Sequence, residues 1–208
     1  MKYIFVAGAP GSKWSSVVKN IYYSPTLDQT DYSEARTYHH DADGGTMHLM
    51  HLGAYFDPGM EFGDFFDNIN RYSKEVCEAE FDRPFSGTGV RIIKSHVFCH
   101  HVNFLKKNWP DCPIVLVHRS NDACLGWWVR CGHFNITYPT YFKYYKNLYQ
   151  MGKIINHQNE DLLKAWQDFH AFDVEDNHHL CDFLNIKYPP VKYRQNYAQK
   201  GINVGVIR

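Results

Sequence analysis

The sequence lacks net charge. Its 22 Lys and Arg residues are balanced by 22 Asp and Glu residues, which argues against non-specific binding to nucleic acid or a membrane surface and leaves room only for a local basic pocket. It also lacks a long apolar run; none approaches the roughly 18 residues needed to span a bilayer. The short run from Tyr3 to Ala9 after Met1-Lys2 is too brief for a secretory signal, so a cytoplasmic domain is expected. No C-x-x-C occurs among the six cysteines (Cys77, Cys99, Cys112, Cys124, Cys131, Cys181), and a chain of 208 residues does not depend on disulfide staples. Reduced, mostly buried thiols are expected. Internal repeats, linkers and low-complexity segments are absent as well, so residues 1–208 read as a single domain.

What the chain does have is aromatic residues, at 16%, and a distinctive opening. The apolar run Tyr3-Ile4-Phe5-Val6-Ala7 leads into Gly8-Ala9-Pro10-Gly11-Ser12-Lys13-Trp14-Ser15-Ser16, and a helix is expected from Ser15 to Tyr23. Strand, Gly-rich loop and helix in that order aim the helix's unpaired N–H groups and positive dipole end at the loop. Gly8 and Gly11 permit close approach of an anion, Ser12, Ser15 and Ser16 add hydroxyls, and Lys13 adds a charge. The loop suits a phosphate or sulfate; a plain strand–loop–helix corner with no ligand is the alternative. It is not a complete Walker A sequence, G-x-x-x-x-G-K-[ST]. Counted from Gly8, Lys13 replaces the second Gly and Trp14 replaces the Lys, while Ser15 keeps the hydroxyl.

Further along, residues 25–47 read as a polar surface connection. Residues 46–66, with His48, His51, Tyr55, Phe56 and several Gly, are neither clean helix nor clean strand, and either line a substrate pocket or pack as an irregular loop. A helix is expected over Asp67–Phe81, a strand over Val90–Ser95, a helix over Val102–Trp109, a strand over Pro113–His118 and a helix over Asp122–Arg130. Tyr138, Tyr141, Tyr144, Tyr145 and Tyr149 fall on one helical face, more consistent with core than with a binding stripe. Helices over Glu160–Phe172 and Glu175–Leu184 precede a basic, Gly-containing tail. Strands alternating with helices predict an α/β fold: a central parallel sheet flanked by helices, with a P-loop-like turn after the first strand.

Ligands of open α/β sheets gather at the carboxyl ends of strands. There the chain carries the loop, then Lys94-Ser95-His96, then His118-Arg119-Ser120-Asn121-Asp122. Lys94 and His96, two apart, project to the same face, pairing a charge-stabilising cation with a titratable base.

These segments resemble, in order, those of the sulfotransferases that use 3′-phosphoadenosine 5′-phosphosulfate (PAPS). Ala9 to Ser16 is similar to the family's Y-P-K-S-G-T-T-W loop, and Arg91-Ile92-Ile93-Lys94-Ser95-His96-Val97 to its R-x-x-K-T-H-L strand. Lys107-Asn108-Trp109-Pro110 through Arg119-Ser120-Asn121-Asp122 resembles K-W-P-x-A-K-I-x-Y-V-x-R-N-P-K-D, and His179 to Ile186 resembles more weakly a late C-x-F-L-G helix. The resemblance implies sulfuryl transfer from PAPS to an acceptor hydroxyl or amine on a small molecule, carbohydrate or peptide, without a metal. It implies His96 as general base, Lys94 and Lys13 as charge stabilisers, and Gly11, Ser12, Lys13, Trp14, Ser15 and Ser16 around the 5′-phosphosulfate. Arg119, with Ser120, would hold the 3′-phosphate.

The chain departs from the pattern in places. Gly11 stands where the family has its loop Lys. Ser16 stands where it has the Trp that stacks on adenine, leaving Trp14, Trp127 or Trp128 to substitute. The family's Ser beyond the Arg falls at Trp127, or at Gly126 when the Asp residues are aligned. Its R-K-G tail survives as Gln199-Lys200-Gly201, where Lys200 either reaches the 3′-phosphate or is a solvated tail charge. Three rival readings remain: a P-loop kinase or NTPase needing Mg²⁺, against which Trp14 argues; an inactive nucleotide-binding module of the same fold; and a metal protein using Cys99, His100 and His101 with His48 or His51.

Overall fold

The computed structural model describes residues 1–32, 39–42, 47–50, 52–131, 143, 145–166, 170–172, 177–190 and 201–207; for 39–42, 47–50, 170–172, 177 and 178 it describes the backbone alone. Five strands form one sheet in the order β4-β1-β5-β7-β6, made of β1 (Tyr3–Gly8), β4 (Arg91–Lys94), β5 (Ile114–His118), β6 (His170–Phe172) and β7 (Asn203–Ile207). A separate antiparallel pair joins β2 (His39–Ala42) to β3 (Met47–Met50). Helices α1 (Trp14–Tyr22), α2 (Lys74–Asp82), α3 (Val102–Asn108), α4 (Asn121–Arg130), α5 (Leu148–Ala165) and α6 (Asn177–Leu184) complete the described elements, with 3₁₀ turns at Phe66–Arg71 and His96–His100.

The central strands are apolar throughout because both faces of the sheet are covered. Along β1 the side chains alternate: Ile4 and Val6 join Val17, Val18, Ile21, Trp128 and Leu184 in one core layer, and Tyr3, Phe5 and Ala7 join Phe81, Phe98, Leu105 and Trp109 in the other. Helix α5 contributes Met151 and Ile155 to the first layer and Leu162 to the second. It contacts α4, the His96–His100 turn, β1 and β5, so it runs across the end of the sheet where those strands finish.

The α/β class is as expected, but the sheet is mixed rather than parallel. β4, β1 and β5 are parallel, whereas β7 runs antiparallel to both β5 and β6. β7 comes from the tail read as basic and Gly-containing; Val204 and Val206 alternate onto the core. That partner also overrides the helix expected over Glu160–Phe172: α5 ends at Ala165, and His170–Phe172 pair with β7 as β6. The helix expected over Asp67–Phe81 is broken. Asn68 has non-helical angles in the first turn, and Ser73 starts α2 afresh by capping the Val76 N–H at 3.4 Å. Nor does one helical face run from Tyr138 to Tyr149. Lys146 has φ 61°, and Asn147 caps the start of α5 with its Oδ1 on the Gln150 N–H at 2.9 Å; Tyr138, Tyr141 and Tyr144 lie outside the described residues.

Of the stretch 46–66, residues 52–58 are buried and pack on the end of β4, where the Phe56 N–H bonds the Lys94 carbonyl at 2.9 Å. All six cysteines are free and buried. Among the described residues no helix is long and apolar enough to cross a membrane.

Candidate functional site at the carboxyl ends of the strands

The loop from Ala9 to Lys13 is closed by the Ser12 N–H on the Ala9 carbonyl, 3.0 Å. Gly11 has φ +80°, and a Cβ there would lie 2.0 Å from the Cys124 carbonyl oxygen. Glycine is therefore required: the loop lies directly on the backbone of α4, and no Lys fits at this point of the chain. Lys13 follows in the left-handed region (φ 64°, ψ 26°) and starts α1 with no side-chain cap. A Lys at the N-cap offers no side-chain acceptor to the first turn of α1, where the Ser16 N–H bonds the Lys13 carbonyl at 2.9 Å, and the helix dipole adds positive potential there. Ser12 is fully buried, and among the described residues its Oγ has no hydrogen-bond partner. Ser15 and Ser16 are half-buried in the first turn of α1.

Two contacts tie the neighbouring strand ends to this loop. His96, just past β4, has its Nδ1 on the Gly8 carbonyl. Since a carbonyl only accepts, Nδ1 carries the proton and Nε2 keeps its lone pair. Arg119, just past β5, donates from Nη1 to the Gly11 carbonyl at 3.3 Å. The three expected clusters do meet at one edge.

Beyond that edge the expected residues divide. Lys94 is fully buried, and its ammonium donates to the carbonyls of Leu52 and of Gly53, the latter at 3.2 Å. His96 is buried and stacked on the Trp14 indole, centroids 3.9 Å apart and planes 14° apart, with Tyr55 edge-on at 5.4 Å. Burial and then the Lys94 charge push its pKa down to about 3, opposed by the Gly8 carbonyl. His96 is thus a neutral imidazole throughout the physiological range.

Asp57, which nothing in the sequence singled out, organises this corner. It is fully buried and accepts from the Ser95 hydroxyl at 2.7 Å, the N–H groups of His96 at 2.9 Å and Val97 at 3.4 Å, and the hydroxyls of Tyr55 at 2.7 Å and Tyr145 at 3.3 Å. Burial raises its pKa to about 7, against the pull of these donors. By capping the 3₁₀ turn it fixes where His96 stands. Its donors lie up to 88 positions away in sequence; the only local sign was an Asp-Pro pair after two aromatics, an ordinary turn signal.

Lys13 does not join Lys94 and His96. Its Nζ lies 3.9 Å from the centroid of the Trp127 ring, and the Arg130 guanidinium lies 5.4 Å from the same centroid. Burial, then Arg119 and Arg130, lower the Lys13 pKa. Of the adenine-stacking candidates, Trp14 is engaged with His96, Trp128 is fully buried and Trp127 is covered by cations. Ser120 is exposed before α4. Lys200 lies outside the described residues. Gly201 is exposed, and because Asn203 pairs with His118 the chain beside Gly201 enters at the Arg119 end of β5.

For a metal the arrangement offers little. His100 is held by Asp161, Nδ1 to Oδ2 at 2.7 Å, Cys99 is buried, and the side chain of His48 and the whole of His51 lie outside the described residues. Among the described residues no three His, Cys, Asp or Glu side chains come together as ligands. In comparisons with known proteins, no family model, curated protein or solved structure matches the chain.

Proposed function

We propose that this protein transfers a sulfuryl group from PAPS to an acceptor hydroxyl or amine. One observation carries the reading: the ends of three adjacent parallel strands meet through direct contacts, His96 to Gly8 and Arg119 to Gly11, around an uncapped helix start. The residues present fit the donor. The first N–H groups of α1, with the buried and unpartnered Ser12 hydroxyl, suit its 5′ end, and Arg119 suits its 3′-phosphate.

The donor supplies the sulfuryl group and a phosphate leaving group. His96, held with Nδ1–H on the Gly8 carbonyl, presents Nε2 to take the proton of the attacking hydroxyl or amine as the new S–O or S–N bond forms and the S–O bond to phosphate breaks. The Lys94 charge, next to His96, steadies the negative charge that develops.

A second reading is favoured by specific contacts: Lys94 is engaged by two backbone carbonyls, and His96 lies beneath Trp14 with its pKa down to about 3. A base that weak fits a nucleotide-binding module without turnover. Calorimetric titration with adenosine 3′,5′-bisphosphate, beside ATP with Mg²⁺, tests the donor site. Metal-independent bisphosphate binding that is lost in Arg119→Ala is expected. Preference for ATP with Mg²⁺ would overturn it in favour of a kinase or NTPase. Binding without transfer of labelled sulfuryl groups to phenols, sugars, amines or tyrosyl peptides would favour the inactive module.

A further inference from the structure

We propose that Asn159, on α5, is a positioning residue for Arg119: its side-chain amide fixes the backbone from which the guanidinium reaches the phosphate-type loop. For the identity of the ligand this rests on the reading above; the arrangement itself rests on geometry. β5 and α4 are joined by two residues, Arg119 and Ser120. A Ser at a helix N-cap ordinarily accepts a first-turn N–H, yet Ser120 stands at the N-cap of α4 and makes no side-chain cap bond. Helix α5 supplies the hold instead. Asn159 is buried, and its Nδ2 donates to the Arg119 carbonyl at 2.9 Å and to Asn121 Oδ1 at 2.6 Å, so one amide grips the chain on both sides of Ser120. The Cys124 thiol adds a longer bond to the same carbonyl at 3.4 Å.

Two oxygen acceptors for the two amide protons fix which way the Asn159 side chain is turned. Its Oδ1 has no hydrogen-bond partner among the described residues, so the side chain acts through its donors. The bonds continue outward in one direction: Asn121 Nδ2 donates to Asn156 Oδ1 at 2.8 Å, and Asn156 Nδ2 donates to Glu160 Oε1 at 2.6 Å. In such a chain each bond polarises the next. The helix that carries it is firmly seated. Ile155 and Leu162 are fully buried in opposite core layers, and Asp161 Oδ2 holds Nδ1 of His100, at the far end of the 3₁₀ turn begun by His96, at 2.7 Å. With the peptide after Arg119 fixed by its carbonyl, the side chain leaves the backbone in a set direction and Nη1 reaches the Gly11 carbonyl at 3.3 Å. A cation placed in this way has less freedom to lose on taking an anion than one on a free link. Without the Asn159 amide, Arg119 keeps its charge and loses its aim.

The test titrates the full chain calorimetrically with adenosine 3′,5′-bisphosphate, adenosine 5′-monophosphate and inorganic pyrophosphate. Asn159→Leu has the same branching and no donors. It is expected to weaken the bisphosphate by about tenfold and to leave the monophosphate within about twofold. Asn121→Ala, at an exposed position, removes one of the two acceptors without touching the core and is expected to weaken the bisphosphate by about threefold. It decides the matter if circular dichroism shows that Asn159→Leu does not fold. A merely structural role would lower the unfolding midpoint and leave the ratio of the two affinities unchanged. An unchanged ratio in the folded variants, while Arg119→Ala abolishes bisphosphate binding, would therefore overturn the positioning role and leave the donor reading standing. If the unaltered protein binds neither nucleotide but binds pyrophosphate in a manner weakened by Arg119→Ala and by the folded Asn variants alike, the positioning role stands and the sulfuryl-donor reading falls. If it binds none of the three, both fall.

Discussion

Two lysines on either side of one loop have opposite surroundings. Lys94 is fully enclosed, and its ammonium is bonded to the carbonyls of Leu52 and Gly53. Lys13 is half-buried; its ammonium lies on an aromatic ring, and burial, then other cations, lower its pKa. The Lys94 charge already serves the protein, holding the 52–53 segment against β4 and adding to the burial that keeps His96 neutral. The Lys13 charge is opposed by its neighbours Arg119 and Arg130. A sequence pattern treats the two as equivalent cations, whereas burial and partners separate them: one is enclosed and bonded to backbone carbonyls, the other is half-buried on an aromatic ring.

The residue that keeps the two sides together is Gly11, and altering it should have the largest effect. Alanine there must place Cβ against the Cys124 carbonyl, 2.0 Å away, at φ +80°. Both the strained angle and the backbone clash act together, so Gly11→Ala should lose about 3 kcal/mol or more in urea denaturation, or fail to fold. A loss under about 1 kcal/mol would mean that loop and α4 are not in contact, and the separation of the two lysines would lose its structural cause.

Next comes the contrast itself. Lys94→Met keeps the bulk of the buried stem but leaves two buried carbonyls without their donor, and should cost about 2 kcal/mol of stability. Arg130→Ala, at an exposed position on the other side, should stay within about 0.5 kcal/mol of the unaltered protein. Equal effects in denaturant would erase the distinction between a closed side and an open one.

Why the closed side escaped the sequence is clear from Asp57. The strand–loop–helix order, the β-branched run Val90-Arg91-Ile92-Ile93 and the apolar run Pro113 to Val117 are local signals, and they placed β1, β4 and β5 with the right residues at their ends. Asp57 acts through Ser95 and Tyr145, 38 and 88 positions away, and no local pattern encodes that. β7 was hidden because it is a five-residue run in a tail read as basic and Gly-containing, and β6 because it is three residues long and pairs with β7 rather than with a strand near it in sequence. The direction of Lys13 depends on one backbone angle, φ 64°, which a Lys rarely adopts. The position of the cation could be read from the sequence, but not where it points.

The closed side should also announce itself in pH dependence. The Asp57 carboxyl is raised from 3.8 to about 7, so the folded protein holds a proton that the unfolded chain releases; on its account, stability falls as pH rises from about 4 to about 7. His96 is lowered from 6.5 to about 3, so the unfolded chain binds a proton that the folded protein refuses, and stability falls as pH drops from about 6.5 to about 3. Between about 4 and 6.5 the two slopes oppose each other and the unaltered protein should be nearly flat. His96→Gln should expose the Asp57 slope, with stability greatest at the acidic end. Asp57→Asn, though less stable throughout, should expose the opposite slope. Thermal unfolding from pH 4 to 7 measures both; parallel profiles in the two variants would show that these groups do not titrate with folding.

A small effect on stability, and the sharpest separation of the open side, should come from Lys13→Gly. A lysine at φ 64° carries about 1 kcal/mol or somewhat more of backbone strain, which glycine does not. Glycine in turn has more freedom to lose on folding, by roughly 0.5–1 kcal/mol. These terms oppose each other, and the only packing removed is a half-buried stem on Trp127, so denaturation should shift by under about 1 kcal/mol in either direction. Lys13→Gly and Lys13→Ala should lose affinity for adenosine 3′,5′-bisphosphate to the same extent, since both remove the ammonium while only the glycine variant loses the strain. If Lys13→Gly instead loses several kcal/mol, the Lys13–Trp127 contact is part of the core, and the open side is architecture like the closed one.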